Sequence, residues 1–406
     1  MKINLIRFSN SLDPNATYKA DSEAFLKDIN DELFEDDYEL VEGASDASMS
    51  IVFIETGGSE QKFVLEADKL PRPIILLSNC KNNSLPACFE IKTYLESRNE
   101  QCLLLFGEEK QIANTIKRVS SLVNCTTKFS SYHLGVIGEP SNWLIASRVD
   151  YQEVKRIFGI ELIDYTTEEL AGEINKGILE DIPHLERLKQ LETNEEVLNG
   201  ALAIYSGLKR MIKKHNLDGF TLRCFDLIEQ YKNTACLAFA LLNEEGYLAA
   251  CEGDVPALLT MALIKEVTNK PSFQANPSKI DLKNEEMLFA HCTLPLNMCR
   301  DYSLMTHFES GLGIGVRGTL DTSECTIVKI APNLKHILCV RGEIKENLTL
   351  PNYCRTQILV KPEPEGLFDF LNEAFGNHVL IAYGNIASEV LTTFHYLIDK
   401  AKVEEK

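Results

Sequence analysis

The chain has 406 residues, 45% of them hydrophobic, and a formal net charge of −19, enough apolar material for a large core shared by two or three domains of roughly 150 residues each. So acidic a chain, lacking any long run of Lys and Arg, is repelled by a phosphate backbone, which argues against a nucleic-acid partner. No apolar run reaches the roughly 18 residues a membrane helix needs, and Met1 to Leu5 carries no secretory core, so no membrane partner and a cytoplasmic location are expected.

Ile3 to Phe8 reads as a strand, followed by a helix burying Phe25, Leu26, Ile29 and Leu33 and by a strand from Ser50 to Ile54. Pro73 to Leu77 is a short buried strand, Cys88 to Leu95 a helix, Cys102 to Phe106 a strand and Lys110 to Val123 a helix. Such alternation implies a parallel sheet covered by helices on both faces. A second beginning comes at Tyr132 to Gly138, an apolar strand that stops at the turn Glu139-Pro140-Ser141-Asn142, and this sets a boundary near residue 131. Thr193 and Glu196 form a capping box ahead of the apolar stripe Val197, Ala201, Ile204, Leu208 and Met211. From about residue 320 the runs shorten: Thr326 to Ile330, Ile337 to Val340 and Thr356 to Val360 alternate and are separated by Pro, Gly and Asn, the pattern of an antiparallel β region. A helix at Leu367 to Phe375, a strand at Val379 to Tyr383, a closing helix at Ala387 to Ile398 and a solvated tail from Val403 to Lys406 complete the chain. The expected domains are therefore 1–130, 131–255 and 256–406.

The 12 cysteines run from Cys80 to Cys354 without a C-x-x-C pair, mostly inside apolar stretches, as expected of reduced thiols in a cytosol. Polar chemistry gathers instead at the ends of apolar runs. Glu252 and Asp254 follow the strand-like Tyr247 to Cys251, where open α/β sheets build ligand sites. Asp254 reads as the cap of the helix that follows; Glu252, at a buried edge, needs a metal, an Arg or a substrate hydroxyl as partner. Asn276 and His291 lie at the ends of two further runs, and His291 suits a metal, a substrate or a satisfied core position. The glycine-dense stretch Thr306 to Gly318 contains His307, Glu309 and Arg317; its Gly313, Gly315 and Gly318 match G-x-G-x-x-G but lack the surrounding βαβ unit of a dinucleotide site. It reads equally as a connection between sheet segments and as a substrate-binding loop. His378 sits after a Gly-Asn turn at the mouth of an apolar strand, where one ring nitrogen can face a metal while a neighbour holds the other.

From about Leu134 onwards these segments resemble the L-fucose isomerase and L-arabinose isomerase superfamily, on Gly138-Glu139-Pro140-Ser141-Asn142-Trp143, Ala250-Cys251-Glu252-Gly253-Asp254, His307-Phe308-Glu309-Ser310-Gly311 and Gly376-Asn377-His378. The resemblance implies an α/β fold with two Rossmann-like domains followed by a C-terminal domain containing an antiparallel β-barrel. It also implies ketol isomerisation of a free sugar on a divalent cation, usually Mn²⁺, within a homo-oligomer, commonly a trimer or hexamer. Moving a proton between C1 and C2 passes through an enediol, so a cation chelating O1 and O2 stabilises the developing charge while a carboxylate carries the proton. On that resemblance Glu252 is ligand and base and His378 a ligand; His307 and Glu309 assist at the substrate hydroxyls, and His291 and Arg317 bind the sugar. The second acidic ligand falls where this chain has Asn276, which can offer an oxygen to a metal or a sugar but cannot accept a proton. Either a nearby carboxylate such as Glu309 or Asp281 substitutes, or the chain is a sugar-binding or regulatory homologue that has lost proton transfer.

Overall fold

A computed structural model describes residues 1–10, 17–44, 47, 49–70, 74–98, 100, 102–373 and 376–404, with side chains described to residue 401. The chain divides into two compact units: Met1–Thr127 with Val403–Lys406, and Lys128–Lys402.

In the first unit, β1 (Lys2–Phe8), β2 (Glu39–Glu42), β3 (Ser50–Ile54), β4 (Ile74–Leu77) and β5 (Cys102–Leu105) form a five-stranded sheet in the order β2-β1-β3-β4-β5. Every pairing is parallel. All of β3 and β4 is buried, because helices cover both faces and a strand in that position has no wet side. The core on one face joins Val52, Ile54, Phe63, Leu76, Cys88 and Ile91. The short β2, poor in apolar residues, is an edge strand the sequence pattern does not reveal; Pro73, the expected start of β4, lies outside the described residues.

The second unit contains a four-stranded parallel sheet, β6 (His133–Ile137), β7 (Glu161–Tyr165), β8 (Gly219–Leu222) and β9 (Leu248–Cys251), in the order β7-β6-β8-β9. The order reverses between β6 and β8, so the loops leaving those two strands part and open a crevice at their carboxyl ends. The helix Glu195–His215 packs its buried face, including Leu198, Ala201, Tyr205, Leu208 and Met211, beneath this sheet. Its cap is Asn194, not Thr193: Asn194 is extended and its side chain accepts from the Glu196 and Val197 N–H groups. With Asn194 in that role Thr193 falls outside the helix, and the expected capping box does not form.

Six strands of the same unit close into an antiparallel barrel, β10 (Phe273–Asp281), β11 (Glu286–His291), β14 (Glu324–Ile330), β15 (Ile337–Asn347), β16 (Thr356–Pro362) and β17 (Val379–Tyr383), in the order β10-β11-β16-β15-β14-β17 with β17 returning to β10. A separate ribbon pairs β12 (Cys299–Met305) with β13 (Gly315–Leu320). The register of β10 slips between Pro277 and Lys279, as expected where proline has no N–H to give the ladder. The barrel interior holds Phe273, Met287, Phe289, Ile327, Ile358 and Ile381. The helix Val255–Thr268 links sheet to barrel: Leu258, Met261 and Leu263 share one core with Leu134 and Val136 of β6, Val328 of β14 and Leu380 of β17. The helix expected at Leu367 to Phe375 spans Gly366–Asn372, with Phe375 outside the described residues, and the closing helix runs from Ala387 to Glu404. Among the described residues no helix is long and apolar enough to cross a membrane.

Candidate active site

The turn after β9 sets the site. Glu252 has φ +65° and Gly253 φ +74°; a non-glycine residue held in the left-handed region stores on the order of 1 kcal/mol of strain and needs its surroundings to hold it there. Three backbone contacts do so: Ser141 N–H donates to Glu252 O at 2.9 Å, Gly253 N–H to Leu222 O at 2.9 Å, and Asp254 N–H to Cys251 O at 3.3 Å. The turn is thus tied to the loops leaving β6 and β8. Only glycine fits at 253, because a Cβ there would meet Pro140 Cα at 2.6 Å.

Four buried groups then form a chain of charge. Lys329, inside β14, places its ammonium 3.1 and 3.0 Å from the two carboxylate oxygens of Asp254. Asp254 Oδ1 also accepts from Ala257 N–H at 2.9 Å, capping the helix as the sequence suggests, while Oδ2 lies 3.0 Å from His378 Nδ1. His378 Nε2 faces Glu252 Oε1 at 3.5 Å, an ion-pair distance, and His291 Nε2 lies 4.0 Å from the same oxygen. His291 is held by Thr293 Oγ1, 3.0 Å from its Nδ1. Trp143 Nε1–H donates to Glu252 Oε2 at 2.6 Å. The Trp143 ring stands edge-on to Phe225 with centroids 4.8 Å apart, and Phe225 meets His307 at 5.6 Å.

Burial pushes the Glu252 carboxyl up, but the His378 and His291 imidazoles and the Trp143 N–H outweigh it and hold the group at about 2. Burial favours the neutral form of His378, yet Glu252 and Asp254 raise it to about 9. Burial and the neighbouring His378 charge lower His291 to about 3 against the pull of Glu252. The two neighbouring histidines are thus pushed in opposite directions. Asp254 is lowered well below the carboxylate range despite complete burial, by Lys329, His378 and the Ala257 N–H. Burial, then the Glu252 charge, raise Glu309.

A narrow cleft is lined by Glu252, Asn276, His291, His307 and Glu309, with Phe225 and five cysteines. Five of the residues singled out in the sequence thus share one cleft, and His378 stands behind Glu252. Arg317 lies on β13 opposite Ser303 and is not among the cleft-lining residues. Asp281 is turned away at the β10–β11 hairpin, where it accepts from the Lys283 and Asn284 N–H groups. The glycine-dense stretch is neither a nucleotide loop nor loose: a tight turn from His307 to Leu312 leads into Gly313, whose Cβ would meet Thr234 N at 2.6 Å.

Among the buried side-chain atoms of the described residues that lack a hydrogen-bond partner are Asn276 Oδ1, in the cleft wall, and His378 Nε2, beside Glu252. Such orphans at one site are what a ligand satisfies. Two donors each about 2.1 Å from a shared ion stand roughly 3 to 4.3 Å apart, and the separations of Glu252 Oε1 from the two histidine Nε2 atoms, 3.5 and 4.0 Å, lie within that window. Cys251 Sγ lies within 4.8 Å of the Glu252 and His291 donors. It is 3.2 Å from Cys224 Sγ, and burial pushes its thiol well up.

Trp143, Lys329 and the bridging role of Asp254 were not apparent in the sequence. The signals that could have found them are that Trp143 is the chain's sole tryptophan and follows a strand-ending turn, and that Lys329 interrupts a strand of Val and Ile, where a buried ammonium requires a carboxylate.

No family model matches the chain. Two sulfoquinovose isomerases are similar to it. The one from Alkalicoccus urumqiensis is 22% identical over 400 residues, covering 91% of this chain and 86% of the relative. The one from Clostridium sp. (strain MSTE9) is 20% identical over 370 residues, covering 83% and 79%. The resemblance to L-fucose and L-arabinose isomerases still rests on the motifs quoted above.

Proposed function

We propose that the chain is an aldose–ketose isomerase acting on a free sugar, with Glu252 as the proton-carrying base. One observation supports this above the rest: a buried carboxylate held ionised shares a cleft with the unsatisfied Asn276 Oδ1 and is backed by the unsatisfied His378 Nε2. The likeness of more than four-fifths of the chain to two enzymes named isomerases supports it independently.

In this reading Glu252, His378 and Asn276 Oδ1 would hold a divalent cation, Mn²⁺ by the hardness of the donors, which would supply stabilisation for the negative charge that develops as the proton moves. Trp143 N–H fixes Oε2 of Glu252, which leaves Oε1 facing the histidines and the cleft. The Glu252 carboxylate takes the proton from C2 and returns it to C1. Asp254 holds His378 by Nδ1 and so presents Nε2 to the site. His291 donates to a sugar hydroxyl, while His307 and Glu309 meet hydroxyls nearer the mouth. Asn276 stands where a second acid would otherwise be, and Glu309 is the second carboxylate of the cleft. Cytoplasmic residence and a homo-oligomer, trimer or hexamer, belong to the same reading.

The test is incubation of the Mn²⁺-loaded protein with a panel of aldoses, sulfoquinovose among them, in deuterated water. The expected result is ketose carrying deuterium at C1, abolished in Glu252→Gln. A sugar that binds without product or label in the wild-type chain overturns isomerisation and favours the second reading, a sugar-binding homologue, for which the amide at Asn276 is the motivating feature.

A further inference from the structure

β9 is the last strand of its sheet and pairs with β8 alone. Successive residues of a strand turn their N–H and C=O groups to opposite edges. Leu248 N–H donates to Asp218 O on the β8 side, at 3.1 Å, so Ala249 and Cys251 face the open edge. No further strand pairs there among the described residues, yet both residues are buried, and buried backbone groups need partners. Two side-chain amides take the place of a strand. Asn243, near the end of the helix Cys236–Glu244, accepts from Ala249 N–H at 3.0 Å and donates to Ala249 O at 2.9 Å. Gln274 treats Cys251 in the same way, accepting from its N–H at 2.8 Å and donating to its C=O at 3.4 Å.

The two clamps differ in what they join. Asn243 belongs to the helix that leads into β9, so its bonds are local. Gln274 lies on β10 of the barrel, 23 positions beyond Cys251, and is itself buried. Along β10, Phe273 and Ala275 belong to the barrel core, so Gln274 and Asn276 share the opposite face. Gln274 grips the residue before Glu252; Asn276 lines the cleft with Glu252 and leaves its Oδ1 unpaired. A slide or tilt of β9 against β10 therefore changes the separation of the Glu252 carboxylate and the Asn276 amide. We propose that Gln274 is a positioning residue, an amide bridge from β10 to the open edge of β9 that holds Glu252 and Asn276 at one fixed separation. It acts through the Cys251 backbone and touches neither sugar nor cation. Its effect on turnover rests on the isomerase reading; its placement of Glu252 does not.

The experiment reads that placement through Trp143, whose indole N–H bonds to Glu252. As the sole tryptophan it gives a single indole cross-peak in the proton–nitrogen correlation spectrum of the full chain, and Glu252→Gln marks where the peak lies once the carboxylate is lost. Gln274→Met, close in length but without an amide, is expected to move the peak towards that position and to weaken Mn²⁺ binding by about tenfold. Gln274→Glu keeps an acceptor for the Cys251 N–H and loses the donor, so it is expected to move the peak less, in the same direction. Asn243→Leu is the control: the same pair of bonds is lost from the same strand, at Ala249 instead of Cys251, and the peak and the Mn²⁺ affinity are expected to stay as in the wild type. Thermal unfolding by circular dichroism establishes which variants fold; if Gln274→Met does not, Gln274→Glu carries the comparison, and a chain that folds with neither overturns the proposal, the amide then being needed for the fold itself. An unmoved indole peak in a folded Gln274 variant, or an equal displacement in Asn243→Leu, also overturns it. If aldoses are turned over, Gln274→Met is expected to lower kcat by about tenfold or more with little change in KM; if the wild-type chain turns over none, the isomerase reading fails while the indole peak still decides the role of Gln274.

Discussion

Replacing Asp254 with Asn tests the buried chain of charge at the point where it bears on both stability and the site. Asp254 is fully buried and meets an equally buried ammonium through both oxygens, at 3.0 and 3.1 Å. Unit charges about 4 Å apart attract by roughly 4 kcal/mol at an effective dielectric constant of about 20. Removing one partner of a buried pair costs about 3–5 kcal/mol, because the other charge is left uncompensated. An amide keeps the size of the side chain and can still cap Ala257, so almost the whole loss comes from Lys329 and His378. The expected outcome is a drop of about 3–5 kcal/mol in unfolding free energy, measured by urea titration and circular dichroism. A second change isolates the cause: in Asp254→Asn with Lys329→Met no unpaired ammonium remains, and stability is expected to return to within about 1–2 kcal/mol of wild type. His378 remains without its anchoring carboxylate in both variants, so a cation held through Nε2 is expected to bind about 10- to 100-fold more weakly in each. A single variant less than about 1 kcal/mol below wild type, or a double variant no more stable than the single, refutes the argument that Lys329 and Asp254 neutralise one another.

Stability is expected to peak near pH 6.5 and to fall on either side. Glu252, depressed from 4.5 to about 2, contributes fully above pH 4.5 and loses its contribution as pH falls towards 2; His291, lowered from 6.5 to about 3, adds to the acid loss because below pH 6.5 the unfolded chain binds the proton the folded one refuses. His378, raised from 6.5 to about 9, contributes fully below pH 6.5 and loses its contribution as pH rises through 9; a urea midpoint climbing steadily from pH 4 to 9 contradicts these assignments. Gly253→Ala is expected to cost about 2 kcal/mol or more, since it joins positive φ to a 2.6 Å backbone collision, and thermal unfolding at wild-type temperature argues against the turn described. Trp143, the sole tryptophan, bonds directly to Glu252, so Mn²⁺ is expected to quench its fluorescence saturably in the wild-type chain and not in Glu252→Gln; identical unsaturable quenching in both removes the metal from the reading.

The elements themselves were largely legible. Continuous apolar runs such as Ser50 to Ile54 and Val379 to Tyr383 appear as strands at the expected residues, because burial on both faces leaves an uninterrupted signal in one dimension. The antiparallel texture after residue 320 belongs to a closed barrel, as the family resemblance implied. Where two local choices differ by little energy, as between Thr193 and Asn194 for one cap, the pattern could not choose.

What the chain order alone determined was the inventory: the strands, the amphipathic helices, and the placement of polar residues such as Glu252 and His378 at the ends of apolar runs. Which of those ends meet was decided only by tertiary structure. Glu252 reaches His378 because the barrel packs on the sheet through the helix Val255–Thr268, and Asp281, equally plausible in the sequence, is carried away by its hairpin. Lys329 shows the same division: its burial follows from its strand, but its partner stands 75 positions earlier. Periodicity records which face of an element is dry, whereas the pairing of charges across elements depends on register and packing, which are properties of the assembled core.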